Sequence, residues 1–281
     1  MEFTSSEGEE RYAALVAHAA DVVVGLDFDG TLAPIVDDPG SAHIHPDAAQ
    51  VLTELAGAVR AVAVVTGRPA RQALALGGLD EVGDAIGGAG RELYLFGQYG
   101  NERWSSTNRR VITPRPPQGL ATFERELPRV LRTAGAADAF VEDKGLAVAV
   151  HTRRLDDPDD AFERLVKPIG ELAERHGLTV EPGRRVLEVR SHGMHKGLVV
   201  EYLMENLEAG GFLFCGDDLG DLEAFKAVEE LRGNDFAGLL VCSASEEQGA
   251  LAELADVVVD GPVGVLELLR ELTEDIRSAR A

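Results

Sequence analysis

The sequence predicts an α/β fold: a doubly wound, mostly parallel sheet with a smaller α+β domain inserted into it. Three observations carry that expectation. Short, unbroken apolar runs alternate with helical segments at both ends of the chain. The alternation stops near residue 110 and resumes at His195. Carboxylate, hydroxyl and lysine groups follow the runs at corresponding places. An apolar run without polar alternation suits a strand buried on both faces, the situation of a parallel sheet covered by helices.

Residues 1–10 are polar and acidic and read as a frayed lead-in, and 11–20 as a short helix. A strand at 22–26 is followed by a helix from about Pro46, a residue suited to the first helical position. The run Ala61-Val62-Ala63-Val64-Val65 is a second strand, and Thr66-Gly67-Arg68-Pro69 leads from it into another helix. A strand at 93–97 follows. Trp104 to Arg115 is polar and mixed and ends at Pro116-Pro117. A helix near 118–133, two antiparallel strands across 139–151, a helix near 158–176 and strands near 178–181 and 185–190 make up the insert. From His195 the parallel pattern returns: helix 195–207, strand 211–215, a helix after 219, strand 238–241, a helix, strand 257–259 and a last helix. The boundaries implied are a core of 1–111 with 191–281, and an insert of 112–190.

Composition narrows the partners. The net charge of −22, from 49 acidic and 27 basic residues, argues against nucleic acid and against an anionic membrane surface. A phosphorylated small molecule stays compatible, because local cations in a pocket outweigh distant, screened carboxylates. No apolar run approaches membrane-spanning length and no signal-peptide pattern opens the chain, so a cytoplasmic location is expected. The two cysteines, Cys215 and Cys242, each sit beside an apolar run and read as buried, reduced thiols. Lysine occurs at four positions only, so Lys144-Gly145 and Lys196-Gly197 stand out as functional candidates.

The chemistry gathers where strands end. Strand 22–26 runs into Asp27-Phe28-Asp29-Gly30-Thr31, two carboxylates that a buried strand end would not carry unpaired. Taken alone, the stretch also fits an Asp-Gly turn. Thr66-Gly67-Arg68 follows the next strand, before a helix whose amino end favours an anion. Gly216-Asp217-Asp218-Leu219-Gly220-Asp221 follows strand 211–215, and Lys196 opens a helix. Each has a plain reading as a cap or a surface group, yet ligands bind beyond the carboxyl ends of strands in open parallel sheets, and all these groups fall there. A hard dication such as Mg²⁺ takes oxygen ligands. Asp27 and Asp217 are the natural direct ligands, with the carbonyl of Asp29 a third and Asp218 or Asp221 behind them. Asp27 is then placed to attack a phosphorus atom and Asp29 to move protons, while Thr66 and Lys196 hold phosphoryl oxygens.

These motifs, in this order, resemble the haloacid dehalogenase phosphatase superfamily, and more closely its trehalose-6-phosphate phosphatases. The closer resemblance rests on Ala33-Pro34 after the aspartate motif and on Gly100-Asn101-Glu102-Arg103. It rests also on Val141-Glu142-Asp143-Lys144-Gly145 running to His151-Thr152-Arg153, and on Gly183-Arg184-Arg185-Val186-Leu187-Glu188-Val189-Arg190 ahead of Lys196-Gly197. It covers roughly residues 20–265. It implies a Rossmann-like core with an α+β cap, and a Mg²⁺-dependent phosphatase acting on trehalose 6-phosphate through an aspartyl-phosphate. It further implies that Gly67, Arg68, Arg103, Lys144, His151 and Glu188 meet the substrate. The sequence departs from the family at Tyr99, where histidine is usual, and at Gly220, where threonine or a similar residue is usual. Tyr99 keeps the alternative open of another sugar phosphate, or of a trehalose-like pseudodisaccharide phosphate. A non-catalytic regulatory module on this fold is the remaining alternative.

Overall fold

The computed structural model describes residues 2–36, 38–183, 185–232, 236–244 and 249–281. Arg184, within one of the motifs above, lies outside them. The chain divides into two units, one of residues 1–113 with 195–281 and one of residues 114–194.

In the first unit the order is β1 (Glu2–Phe3), α1 (Ser6–Ala17), β2 (Val22–Leu26), α2 (Ala48–Ala56), β3 (Ala61–Val65), α3 (Ala70–Gly77), α4 (Leu79–Gly88), β4 (Leu93–Gly97) and β5 (Glu102–Ser105). The second unit holds α5 (Leu120–Thr133), β6 (Phe140–Asp143), β7 (Ala147–His151), α6 (Pro158–Arg175), β8 (Leu178–Gly183) and β9 (Val186–Ser191). The first unit then resumes with α7 (Lys196–Leu207), β10 (Gly211–Gly216), α8 (Leu222–Leu231), β11 (Ala237–Ser243), α9 (Gly249–Ala252), β12 (Val257–Val259) and α10 (Gly261–Ala279).

Eight strands of the first unit form one sheet in the order β1-β12-β11-β10-β2-β3-β4-β5. The six from β12 to β4 are parallel, and β1 and β5 add antiparallel edges. Alternation of side chains across the strands sends Val22, Val24, Leu26, Leu213 and Cys215 into one apolar layer with α1–α4 and α10. Val23, Phe212 and Phe214 point into the opposite layer, with α7 and α8. Burial on both faces is what the unbroken apolar runs required, and the sheet is doubly wound as the sequence predicts. Cys215 and Cys242 are buried and unbridged.

Two expectations are corrected at the edges. The lead-in is ordered: Glu2 and Phe3 pair with Val258 and Val257, and α1 begins at Ser6 rather than near residue 11. Ser5 caps that helix by accepting the Gly8 N–H, and the Phe3 ring packs edge-on against Tyr12 at 5.6 Å. The polar stretch after Asn101 contains β5, paired through Leu95 and Trp104. Its polar sequence conceals it because the carboxylate of Glu102 is buried with hydrogen-bond partners rather than solvated.

The second unit is a four-stranded antiparallel sheet, β6-β7-β9-β8. Val148, Val150, Leu187 and Val189 face the apolar layer under α5 and α6. The alternate residues, among them His151, Glu188 and Arg190, therefore lie on the other face.

Candidate active site

Strands β10, β2 and β3 are parallel neighbours, so Asp217, Asp27 and Thr66 emerge at one edge of the sheet. From β2 the chain builds the sheet through β3 to β4, and later from β10 through β11 to β12 in the opposite direction. The reversal falls between β2 and β10, where an open α/β sheet leaves a crevice.

In that place carboxylate oxygens of Asp27, Asp217 and Asp221 lie within 4.8 Å of one another. Lys196, the first residue of α7 and 2% exposed, donates to Asp27 Oδ1 at 2.6 Å and to Asp221 Oδ1 at 2.7 Å. Asp221 Oδ2 accepts the N–H of Asp217 at 3.1 Å, so both oxygens of Asp221 are held by protein. Asp218 is turned away to cap the turn that follows, its Oδ1 accepting the Gly220 N–H at 2.8 Å. Asp27 and Asp217, the two carboxylates that the motif pattern assigns to a cation, both belong to this buried group of oxygens.

Three buried carboxylates face one ammonium. Burial pushes Asp27 well above the usual carboxylate range, with Lys196 opposing and Asp221, Asp218 and Asp29 reinforcing the rise. Burial, then Asp27, push Asp217 up to about 10. Burial raises Asp221 to about 6, against the pull of Lys196. For Lys196 burial favours the neutral amine, but Asp221 and Asp27 outweigh it and hold the group charged. The cluster is short of positive charge, and its donor set is all oxygen, which is the preference of a hard divalent cation. Gly30 keeps the approach open: its φ is +70°, and a Cβ there would fall 2.1 Å from Asp217 Oδ2. The residues present therefore fit a divalent cation.

Asp29 lies beside this cluster in sequence but is engaged elsewhere. Arg68 Nε and Nη2 each donate to one of its oxygens at 2.6 Å, a fork-to-fork pair, and Nη1 donates to the Pro39 carbonyl at 2.7 Å. The guanidinium sits 5.4 Å from the Phe28 ring centroid. Arg68, expected on the substrate, is thus first a partner of Asp29. Thr66 is buried, and its Oγ1 accepts the Arg68 N–H at 3.1 Å. Gly67 lies under Tyr99: a Cβ on Gly67 would fall 2.8 Å from the phenol oxygen. A Cβ on Gly220 would fall 3.8 Å from the same ring. The two positions where the sequence departs from the family pattern are therefore neighbours in space. Gln98 and Tyr99 hold φ of +48° and +59°, a left-handed pair of non-glycine residues at the edge of the site.

The Arg103 guanidinium lies 4.0 Å from the centroid of the Tyr202 ring of α7. The remaining expected substrate residues are in the second unit. Lys144 pairs with Glu188, and His151 Nε2 lies 2.9 Å from Glu142 Oε2. Arg190 lies 3.5 Å from Glu181. These groups give one sheet a face of hydrogen-bonding side chains. A cavity of about 840 Å³ between α5 and α6, lined by Arg129, Arg164 and Arg175, contains none of the motif residues.

Two residues escaped sequence reasoning, Ser243 and Glu102. Ser243, at the end of β11, donates to the Gly30 carbonyl at 2.6 Å and braces the turn after Asp29. Its signal was the one used for the others, a hydroxyl at the carboxyl end of a parallel strand. Gly30, already singled out within the aspartate motif, is required by the proximity of Asp217. Glu102 received no role, although its Oε2 accepts the first amide of α3 at 2.6 Å.

Comparison with known proteins agrees with the motif reading. A sequence model of the family described as trehalose-phosphatase matches residues 25–257. An uncharacterized glycosyl hydrolase of Mycobacterium tuberculosis is 33% identical over 267 residues, 91% of this chain but only 18% of that relative's length. Trehalose-phosphate phosphatase B of Arabidopsis thaliana is 30% identical over 274 residues, covering 92% of this chain and 68% of its own. The C-terminal domain of Candida albicans trehalose-6-phosphate phosphatase superposes with a TM-score of 0.76 at 19% identity, over 97% of this chain and 98% of that one. That likeness is one of fold, and it accompanies a family match that spans the carboxylate cluster, Lys196 and the second unit. The chain belongs to the trehalose-phosphatase family.

Proposed function

We propose that the chain is a Mg²⁺-dependent phosphatase that hydrolyses trehalose 6-phosphate to trehalose and phosphate. The observation that carries this is Lys196 bound between Asp27 and Asp221, with Asp217 alongside and the Asp29–Arg68 pair adjoining in the chain. Asp27, whose Oδ1 is held by Lys196, attacks phosphorus with its other oxygen. The bond to the sugar oxygen breaks as the bond to Asp27 forms, and Asp29 gives that oxygen its proton. Asp29, now a carboxylate, takes a proton from the water that attacks phosphorus, which returns Asp27 and frees phosphate. Thr66 and Lys196 hold the equatorial oxygens, where charge accumulates. Asp27, Asp217 and the Asp29 carbonyl would hold Mg²⁺, which would offset the repulsion between carboxylate and phosphate. Lys144, His151 and Glu188 of the second unit read the sugar hydroxyls, their charged and imidazole groups matching a polyol. A non-catalytic role would leave this matched set of acid, nucleophile and cation without use.

Tyr99 favours a second reading in which the sugar differs: a phenol occupies the space against Gly67 and Gly220. A panel of sugar phosphates, with released phosphate as readout, decides between them. Trehalose 6-phosphate is expected to be the best substrate; comparable rates on glucose 6-phosphate would contradict the trehalose assignment.

A further inference from the structure

We infer that Glu102 is a positioning residue for the phosphoryl site, acting through the loop that carries Thr66 and Arg68. The inference rests on the phosphatase reading for its kinetic consequence but not for its structural one.

The loop from the end of β3 to the start of α3 is laced to residues 96–102. Thr66 N–H donates to the Phe96 carbonyl at 2.9 Å, Tyr99 N–H to the Thr66 carbonyl at 3.0 Å, and Gln98 N–H to the Arg68 carbonyl at 2.8 Å. Those three ties are backbone. The fourth is a side chain: Glu102 Oε2 accepts the Ala70 N–H at 2.6 Å. Glu102 is 8% exposed, and its other oxygen accepts the Thr113 hydroxyl at 3.2 Å, at the last residue of the first unit before the chain enters the second. A Cβ on Gly97 would fall 2.5 Å from the Ala70 nitrogen, so the end of β4 presses on this amide. A carboxylate at a helix amino end is favoured by the helix dipole and makes a charge-assisted bond. The helix amino end that the sequence reading offered to phosphate is thus filled by the chain's own carboxylate.

Removing Glu102 leaves a buried amide without its acceptor, which is costly, and the start of α3 then shifts to find another. Thr66 and the Arg68 fork shift with it. A misplacement of about 1 Å at such groups lowers turnover about 100-fold. Because Thr66 and Asp29 act on the reacting phosphoryl group, the loss falls on kcat and leaves KM close to its original value.

The test compares wild type, Glu102→Ala and Glu102→Gln in two arms: steady-state kinetics on trehalose 6-phosphate, and hydrogen–deuterium exchange over residues 66–73. The Gln variant keeps an oxygen for the Ala70 amide. Expected are faster exchange and a kcat lowered about 10- to 100-fold in the Ala variant at nearly constant KM, with both restored in the Gln variant. Unchanged exchange in the Ala variant, or equal loss in both variants, overturns the inference. Should the Ala variant fail to fold, Glu102→Asp, which keeps the charge but not the reach, takes its place under the same criteria. Wild type inactive on every phosphate ester would sink the phosphatase reading instead, and the exchange arm would still decide the positioning role.

Discussion

Asp29 cannot deliver a proton while both its oxygens accept from Arg68. The mechanism therefore requires that one of those bonds give way as the carboxyl becomes protonated, with Arg68 retaining the other and fixing the side chain. This assigns Asp29 two separable tasks, and a substitution separates them. Asp29→Asn should lower kcat on a sugar phosphate by roughly 10²–10⁴, the usual loss of a general acid. On p-nitrophenyl phosphate, whose leaving group needs no proton, the first step should survive while the water step stalls. A burst of nitrophenol equal to the enzyme concentration, seen by rapid mixing, is the expected signature. A linear trace at a rate near that of wild type would contradict the role. How much of this was visible beforehand differs by residue. Asp27, Thr66, Lys196 and Asp217 were legible because each stands at a strand end or helix start, a place that sequence pattern locates. The partner of Arg68 was not, since a pair 39 residues apart in sequence leaves no local trace.

At the scale of elements, β9 carries the clearest division of labour in the second unit. Leu187 and Val189 face the apolar layer, while Glu188 is buried on the other face and paired with Lys144. Sequence alternation gave the strand, but it could not distinguish a solvated glutamate from a buried, paired one, because both alternate with valine and leucine. Proposed as a reader of sugar hydroxyls, Glu188 makes contacts that a small aryl phosphate lacks. Glu188→Ala should raise KM for trehalose 6-phosphate about 10-fold or more and leave p-nitrophenyl phosphate hydrolysis within about twofold. Equal effects on both substrates would instead mean that the residue maintains the fold. Elsewhere β2, β3 and β4 fell where the apolar runs placed them. β1 and β5 escaped because a two-residue strand has no period and because the buried carboxylate of Glu102 imitates a loop. Both are antiparallel edges, so their loss from the sequence reading did not disturb the order of the strands that build the site.

Over the whole molecule the charge is unevenly held. Residues 114–194 contain 13 Lys and Arg against 14 Asp and Glu, a net −1, which leaves −21 of the total −22 to the other unit. That unit also buries the Asp27, Asp217 and Asp221 carboxylates together. Among the described residues no helix is long and apolar enough to cross a membrane. The charge has a stability consequence with a definite sign. Asp221 and Asp217 titrate near 6 and near 10 in the folded protein, against an ordinary 3.8. The folded state then binds more protons than the unfolded one between those values. In metal-free protein stability should fall as pH rises from about 4, through 6 for Asp221 and on toward 10 for Asp217. Mg²⁺ replaces those protons, so its stabilising effect should grow over the same range, to roughly 5–10 °C in Tm at a 100-fold excess over Kd. Thermal melts at pH 5 and pH 8, with chelator and with Mg²⁺, measure this. A Tm that rises with pH in chelator and does not respond to Mg²⁺ would contradict the reading, and Asp217→Asn should flatten the dependence.

The buried lysine and aspartate cluster is proposed to transfer a phosphoryl group with Asp27 as nucleophile. Phosphate release from trehalose 6-phosphate by wild type and by Asp27→Asn, with and without Mg²⁺, tests it most directly. Expected are Mg²⁺-dependent turnover by the wild type and none above background in the variant, whose melting shows it folded. Turnover that persists in Asp27→Asn, or wild-type turnover that is indifferent to chelator, would contradict it.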